Sequence, residues 1–354
     1  MFQYNFAFEF ARSIRCGWNL GNTFDCIVKP EHLPSHPTTT DFETAWGNPP
    51  PSRAHLEAIR DAGFDAVRIP VSWGQHIGDA PDYTIDPCWM ERVDKLVREA
   101  FSLGFRIILN VHHDASPLGR LSLLPDRLDE SEAILCSLWT QIANQFSDLG
   151  ESLIFEVLNE PHTADDWIGT PERYAAVNRL NHAAVAAIRS TKGNNSSRYL
   201  MIPTYAASAK QAAIEALELP ADDRIMVSIH AYAPTDFCLP SYEVVWAESK
   251  TTWGSKEDID ALLKIFNRLE RHFISRGIPV ILGEAAAVGK ADRRSRLFWA
   301  AVYAKEAAAR SMPCFWWDEG HLGIDGMGIF DRQTLSFPEP ELVSILTGKS
   351  LGNR

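Results

Sequence analysis

The sequence predicts an α/β protein built as a single (β/α)8 barrel, on three observations. Eight apolar runs of strand length recur along its 354 residues. Patterns of helical spacing lie between most of them. Neither a GxGxxG nor a GxxxxGK[ST] motif is present, so an open nucleotide-binding sheet loses its usual support. A chain of 354 residues is of ordinary size for one such barrel. No Pro/Ser-rich linker or low-complexity segment divides it, so one domain is expected over 1–354.

The elements follow in order. Residues 17–21 form the first strand, and 29–40, rich in Pro and Thr, a long loop after it. Residues 52–62 place Leu56 and Ile59 on one helical face and lead through Gly63 into the strand 66–71. Residues 87–103 carry Val93, Leu96, Val97 and Ala100 at spacings of three and four, and Gly104 leads into the strand 106–111. A helix over 131–146 precedes the strand 153–159. The Ala-rich helix 171–189 has Pro171 early in its first turn and precedes the strand 199–203. The strand 225–230 comes next. Residues 256–276 repeat Leu262, Leu263, Phe266, Leu269 and Phe273, a helix before the strand 280–283. The helix 294–310 leads to the last strand, 314–317.

Composition narrows the function. Lys and Arg total 34 against 46 Asp and Glu, a net charge of −12, so nucleic acid and anionic membrane surfaces are not expected partners. No run of about 18 apolar residues occurs, so no transmembrane helix is expected. The start, Met1-Phe2-Gln3-Tyr4-Asn5-Phe6, lacks the basic and apolar regions of a signal peptide. Six cysteines are scattered without a CxxC pair, which argues against structural zinc. Cys16 and Cys314 fall in the first and last strands, which a closed barrel makes neighbours. Neighbouring strands rarely offer disulfide geometry, so free thiols are expected.

Glu160 and Glu284 carry the chemistry. Each closes an apolar run: Leu153-Ile154-Phe155-Glu156-Val157-Leu158 leads into Asn159-Glu160-Pro161, and Pro279-Val280-Ile281-Leu282-Gly283 into Glu284. A carboxylate there sits at the edge of the core or is paired. Two of them on separate strands of a barrel converge on one mouth, the equipment for cleaving a glycosidic bond. Other polar residues end the remaining strands: Asn19 and Asn22; Arg68 within the second; His112, His113 and Asp114; His230 and Tyr232; Trp316, Trp317, Asp318 and Glu319. His112 and His113 are consecutive on a strand and are expected on opposite faces, against a shared metal.

The motifs Cys16-Gly17-Trp18-Asn19-Leu20-Gly21-Asn22-Thr23, Glu43-Thr44-Ala45-Trp46-Gly47-Asn48-Pro49 and Val67-Arg68-Ile69-Pro70-Val71-Ser72-Trp73 stand in this order. Val111-His112-His113-Asp114, Asn159-Glu160-Pro161, His230-Ala231-Tyr232, Gly283-Glu284 and Trp316-Trp317-Asp318 follow. Together they resemble glycoside hydrolase family 5 over residues 14–330, in particular its bacterial endo-β-1,4-glucanase and xyloglucanase branch. The resemblance implies retaining hydrolysis of a β-glucan, with Glu160 as acid/base and Glu284 as nucleophile. Retention needs two carboxyl groups about 5–5.5 Å apart, one protonated and one ionised. Arg68 would hold Glu284 ionised, Tyr232 would donate to the same carboxylate, and Asn159 would bond the sugar 2-OH. The resemblance places His113 and His230 in the catalytic subsite, with His112 mainly structural. It makes Trp317, just before Asp318, the stacking residue and puts Asn22 and Asp25 beside the sugar on the non-reducing side. Trp46, Trp73 and Trp253, in loops after strands one, two and six, are candidate glucose platforms.

No set of three convergent ligands is found and retaining hydrolysis needs no metal, so no metal and no cofactor are expected. No second domain fits after residue 340, so no carbohydrate-binding module is expected, and the protein is expected to be a monomer. Secretion behind a leader outside this sequence is expected, with a cytoplasmic location as the alternative. Xyloglucan, β-mannan and mixed-linkage glucan stay open as preferred substrates, since loop shape decides between them. A barrel that only binds glycan is disfavoured by the intact carboxylates, and an amidohydrolase by a first strand without an HxH pair. Two departures from the family pattern stand out. Ala285-Ala286-Ala287 follows Glu284, and Asp318-Glu319-Gly320 replaces Asp-Asn-Gly; these are expected to affect the nucleophile's seat and the pH profile.

Overall fold

A computed structural model describes residues 6–351 apart from 165, 245, 246, 290 and 291. Its eight strands are β1 (Gly17–Asn19), β2 (Ala66–Ile69), β3 (Arg106–Asn110), β4 (Leu153–Glu156), β5 (Leu200–Ser208), β6 (Ile225–His230), β7 (Val280–Ala285) and β8 (Cys314–Trp316). They pair in parallel in chain order, and β8 returns to β1, closing the barrel. The expected strands are all present. Several are shorter than their apolar runs because the mouth-side residues leave the ladder to build loops.

The helices form for local reasons. Asp86 accepts the N–H of Cys88 and Pro87 opens Pro87–Ser102. Thr170 caps Pro171–Arg189, and Ser255 with Asp258 forms a capping box before Lys256–His272. The apolar faces of these helices cover the outside of the barrel: Val93, Leu96, Val97 and Ala100 are fully buried, as are Leu138, Trp139 and Ile142 of Leu128–Gln145.

The barrel interior is layered. At the bottom, Ala66, Ile108, Ile154, Met201, Met226, Ile281 and Phe315 form an apolar cluster. Helix α1 (Phe6–Arg12) closes that end with buried Ala7 and Ala11, while Phe10 stacks on Tyr199 at 4.1 Å. Two residues further along the strands the inward positions turn polar: Asn19, Arg68, Asn110, Glu156 and Ser228 are all fully buried. The change from apolar to charged happens inside the barrel, beneath the mouth.

Three register shifts occur near the mouth, from β5 to β8, the first between Pro203 and Ser208 against β6. Ile229 pairs with Leu282, but His230 pairs with Glu284, so Gly283 is passed over. A further shift separates Leu282 and Ala285 against β8. Such bulges re-aim side chains, and here the slip sets Glu284 opposite His230. Cys16 and Cys314 are free thiols. No helix among the described residues is long and apolar enough to cross a membrane.

Candidate active site

The site stands on Arg68. This fully buried guanidinium donates from Nη1 to Oε1 of Glu284 at 2.7 Å and to Asn19 Oδ1 at 3.0 Å. Nη2 donates to Asn159 Oδ1 at 2.6 Å and Nε to Glu156 Oε2 at 2.8 Å. A charge buried this deeply needs partners in good geometry, and strands β4 and β7 each supply a carboxylate. Because Asn159 accepts from Arg68 with its oxygen, its amide N–H groups remain as donors.

Glu284 is 5% exposed and its second oxygen accepts the Tyr232 hydroxyl at 2.7 Å. Burial, and then the Glu284 charge, push the Tyr232 phenol well above its ordinary value, so it stays a donor. Glu160 has a side chain 21% exposed and places Oε1 2.7 Å from His230 Nδ1. The same nitrogen lies 3.6 Å from Glu284 Oε2. One oxygen of Glu160 and one of Glu284 come within 4.8 Å of each other. Burial alone would lower His230, but Glu284, Glu156 and Glu160 outweigh it and lift the imidazole to about 9.

The remaining sequence-predicted residues divide. Asn22, at positive φ, is half-buried at the rim of the mouth, and its N–H is held by Asp25 at 3.0 Å. His113 is half-buried and neutral, pushed down to about 4 chiefly by burial. Trp46 is 39% exposed, with its ring 5.8 Å from that of His113. Trp317 is half-buried and lies parallel to the His112 ring at 5.8 Å. It packs so closely over Gly21 that a Cβ there would stand 2.8 Å from the indole. Trp316, by contrast, is buried with its indole N–H on Met327 O.

Four expectations need correction. Trp73 is fully buried and donates its indole N–H to Asn110 O at 2.9 Å, so it offers no face to a sugar. Trp253 is also buried, packed between Phe237 and Phe298. Asp25 is fully buried; it takes the N–H groups of Asn22 and Thr23 and holds the turn rather than a ligand. His112 and His113 do not face opposite ways: β3 ends at Asn110, a 3-10 turn begins at His113, and the two rings meet at 4.4 Å. His112 is buried against Asn110, as a structural residue would be.

Among the described residues two trios come close enough to suggest metal ligation, Glu160–His230–Glu284 and Asp25–His112–His113. In the first, Arg68, Tyr232 and His230 already occupy the carboxylates. In the second, Asp25 takes two backbone N–H groups and His112 faces the Asn110 amide.

The family described as Cellulase (glycosyl hydrolase family 5) matches residues 31–322. The chain belongs to glycosyl hydrolase family 5. Among its relatives, Endoglucanase B of Clostridium cellulovorans is 38% identical over 95% of this chain and 74% of that protein. The Cellulase/esterase CelE of Acetivibrio thermocellus is 37% identical over 96% of this chain, which spans 40% of that longer protein. The solved GH5-4 broad specificity endoglucanase from Clostridium acetobutylicum superposes with a TM-score of 0.86 at 37% identity, covering 96% of this chain and 99% of that one.

Other residues of this family 5 barrel that sequence reading passed over contact the site. Glu156 is fully buried, paired with Arg68 and hydrogen-bonded by Asn110 Nδ2 at 2.9 Å and by the Ser228 hydroxyl. Its signal was a lone charge inside an apolar strand. His162 Nδ1 bonds the Glu160 carbonyl at 2.6 Å, and Trp167, 48% exposed, stacks on His162 at 4.1 Å. Of the two departures from the family pattern, Ala286 and Ala287 are fully buried behind Glu284. Glu319 is half-buried with Oε1 on the Met327 N–H, and burial lifts its carboxyl to about 7.

Proposed function

We propose that this family 5 chain is a retaining endo-β-1,4-glucanase in which Glu284 is the nucleophile and Glu160 the acid/base. The observation that carries the reading is that one imidazole nitrogen, His230 Nδ1, reaches both carboxylates, 2.7 Å from Glu160 Oε1 and 3.6 Å from Glu284 Oε2. Carboxyl groups that share one nitrogen fit the close pair of a retaining enzyme better than the gap of about 6.5–9.5 Å that admits a water in an inverting one. Glu284 attacks the anomeric carbon while Glu160 gives its proton to the departing glycosidic oxygen. Arg68 and Tyr232 hold the attacking carboxylate in line, one on each oxygen. The glycosyl ester that forms is then opened by water, which loses its proton to Glu160. Asn159 presents its amide to the sugar 2-OH, and His113 and Trp317 line the subsite, with Trp46 and Asn22 at its rim. The chain acts as a monomer outside the cell and without a bound cofactor.

A second reading, broad action on xyloglucan and mixed-linkage glucan, is favoured by the similarity to a broad specificity endoglucanase and by the exposed rings of Trp46 and Trp167 on separate loops. One experiment addresses both. Purified carboxymethylcellulose, barley β-glucan, xyloglucan and β-mannan are incubated with the protein, with and without EDTA. Fresh hydrolysate is followed by NMR. Cellulose-type glucans should be cut internally, chelator should change nothing, and the first product should be the β-anomer. An initial α-anomer overturns the double displacement.

A further inference from the structure

Glu156 does not reach the mouth, yet it pairs with Arg68, which also holds Glu284, and lies beneath His230, which holds Glu160. It is fully buried on β4, and Arg68 Nη2 lies 2.7 Å from its Oε2. Its other oxygen takes the Ser228 hydroxyl and lies 3.9 Å from His230 Nε2. That imidazole nitrogen is buried and makes no hydrogen bond of its own among the described residues. The opposite nitrogen, Nδ1, is the one on Glu160. His230 therefore spans a buried anion below and the acid/base residue above. Arg68 in turn shares one guanidinium between two carboxylates, Glu156 and Glu284.

We propose that Glu156 is a positioning residue for the hydrolysis described above: a permanent buried anion that divides the Arg68 charge with Glu284 and, through His230, keeps the catalytic proton on the His230–Glu160 pair. The inference rests on the retaining mechanism. Were Arg68 to spend its whole charge on Glu284, the nucleophile would be held too tightly to attack. Were His230 to face a neutral floor, the pair would surrender its proton at lower pH. Burial pushes the Glu156 carboxyl up, but Arg68, His230 and Ser228 prevail and hold it at about 2, so its charge persists wherever the enzyme works. The pair's proton sits between His230 Nδ1 and Glu160 Oε1. It leaves with the glycosidic oxygen as that C–O bond breaks and the Glu284 ester forms, and the attacking water restores it as the ester is cleaved.

The groups facing this network come from several strands. Arg68 on β2 and the His230 imidazole on β6, lifted to about 9, are the cationic groups. Glu284 on β7 and Glu160 after β4 are the other carboxyl groups. Tyr232 after β6 is a neutral phenol, and His112 and His113 after β3 are both pushed below their ordinary value by burial. His162 lies beyond His113. Asn19, Asn110 and Ser228 contribute neutral dipoles. Removing one negative charge from their midst weakens proton binding by every neighbour, so both limbs of the kcat/KM profile must move the same way.

The test compares pH profiles of kcat/KM on barley β-glucan for the wild type, Glu156→Gln and Glu156→Asp. Glu156→Gln should shift both limbs to lower pH, by about one unit, and lower the maximum. Glu156→Asp, which keeps the charge, should leave both limbs close to wild type. A Glu156→Gln profile reduced in height with unmoved limbs shows a structural role only and overturns the proposal. Should Glu156→Gln not fold, 15N NMR of the wild-type histidines decides, with His230 assigned by its loss in His230→Asn. An imidazolium signal from His230 at pH 8 supports the anion beneath it, and a neutral ring there overturns it. A wild type inactive on every β-glucan would sink the functional reading, while the NMR result would still judge the Glu156–His230 coupling.

Discussion

Glu284 has one oxygen on Arg68 and the other on Tyr232, so an amide in its place keeps the shape and loses the charge. Glu284→Gln and Glu160→Gln should each lower kcat by several orders of magnitude with little change in Tm, measured on barley β-glucan and by calorimetry. Glu160→Ala should regain turnover with azide or with an activated aryl cellobioside, whose leaving group needs no proton; absence of any rescue counts against the acid/base role. Arg68→Gln removes the positive charge that Glu284 and Glu156 share. An uncompensated carboxylate binds its proton more tightly, so the acid limb of kcat/KM should rise in pH, and an unmoved limb would refute electrostatic support. At this scale the sequence was legible where a polar residue interrupts or ends an apolar run. Arg68, Asn159, Glu160, His230, Tyr232 and Glu284 all do so, and all meet at the mouth. Trp73 and Trp253 were not legible, because an indole in a loop reads the same whether it faces solvent or the core. Only packing against Asn110, Phe237 and Phe298 decides it.

Among the elements, β6 and β7 do the aiming. Their register slip passes over Gly283 and pairs His230 with Glu284. A Cβ on Gly283 would stand 3.0 Å from His230 Nε2 and 3.3 Å from the Ser228 hydroxyl. Gly283→Ala should therefore push the imidazole by a few tenths of an ångström and reduce kcat by about tenfold, since small misplacements of catalytic groups are costly. KM and far-UV circular dichroism should stay near wild type; unchanged kcat would show that His230 yields without consequence. Strand existence and order were readable from apolar runs and the Gly-led transitions between helix and strand. The slip was not, because periodicity assigns a residue to a strand without fixing its partner across the ladder. Glu156 was missed for the same reason. Its run was read by where it ended, not by which of its side chains pointed inward.

For the molecule as a whole, stability and chemistry occupy different depths of one barrel. The bottom is apolar and sealed by α1 and by Ile14, which is 4% exposed. Ile14→Ala should destabilise the fold by about 2–4 kcal/mol, the ordinary cost of an emptied aliphatic site. Thermal unfolding should report the loss, while kcat at 25 °C should stay unchanged. A matching fall in kcat would mean that the floor and the mouth are coupled.

The ordering of the barrel interior bears on how such a chain can change over generations. Residues that keep it folded and residues that choose and cleave its substrate are drawn from separate heights of the same strands. A lineage can then exchange mouth loops and rim aromatics under new selection without risking collapse. The buried polar layer between them is the stretch where drift is least free, because a substitution there disturbs both heights at once. Random libraries confined to the rim should yield mostly soluble proteins of altered preference, whereas libraries at Asn19, Asn110, Glu156 and Ser228 should yield few survivors.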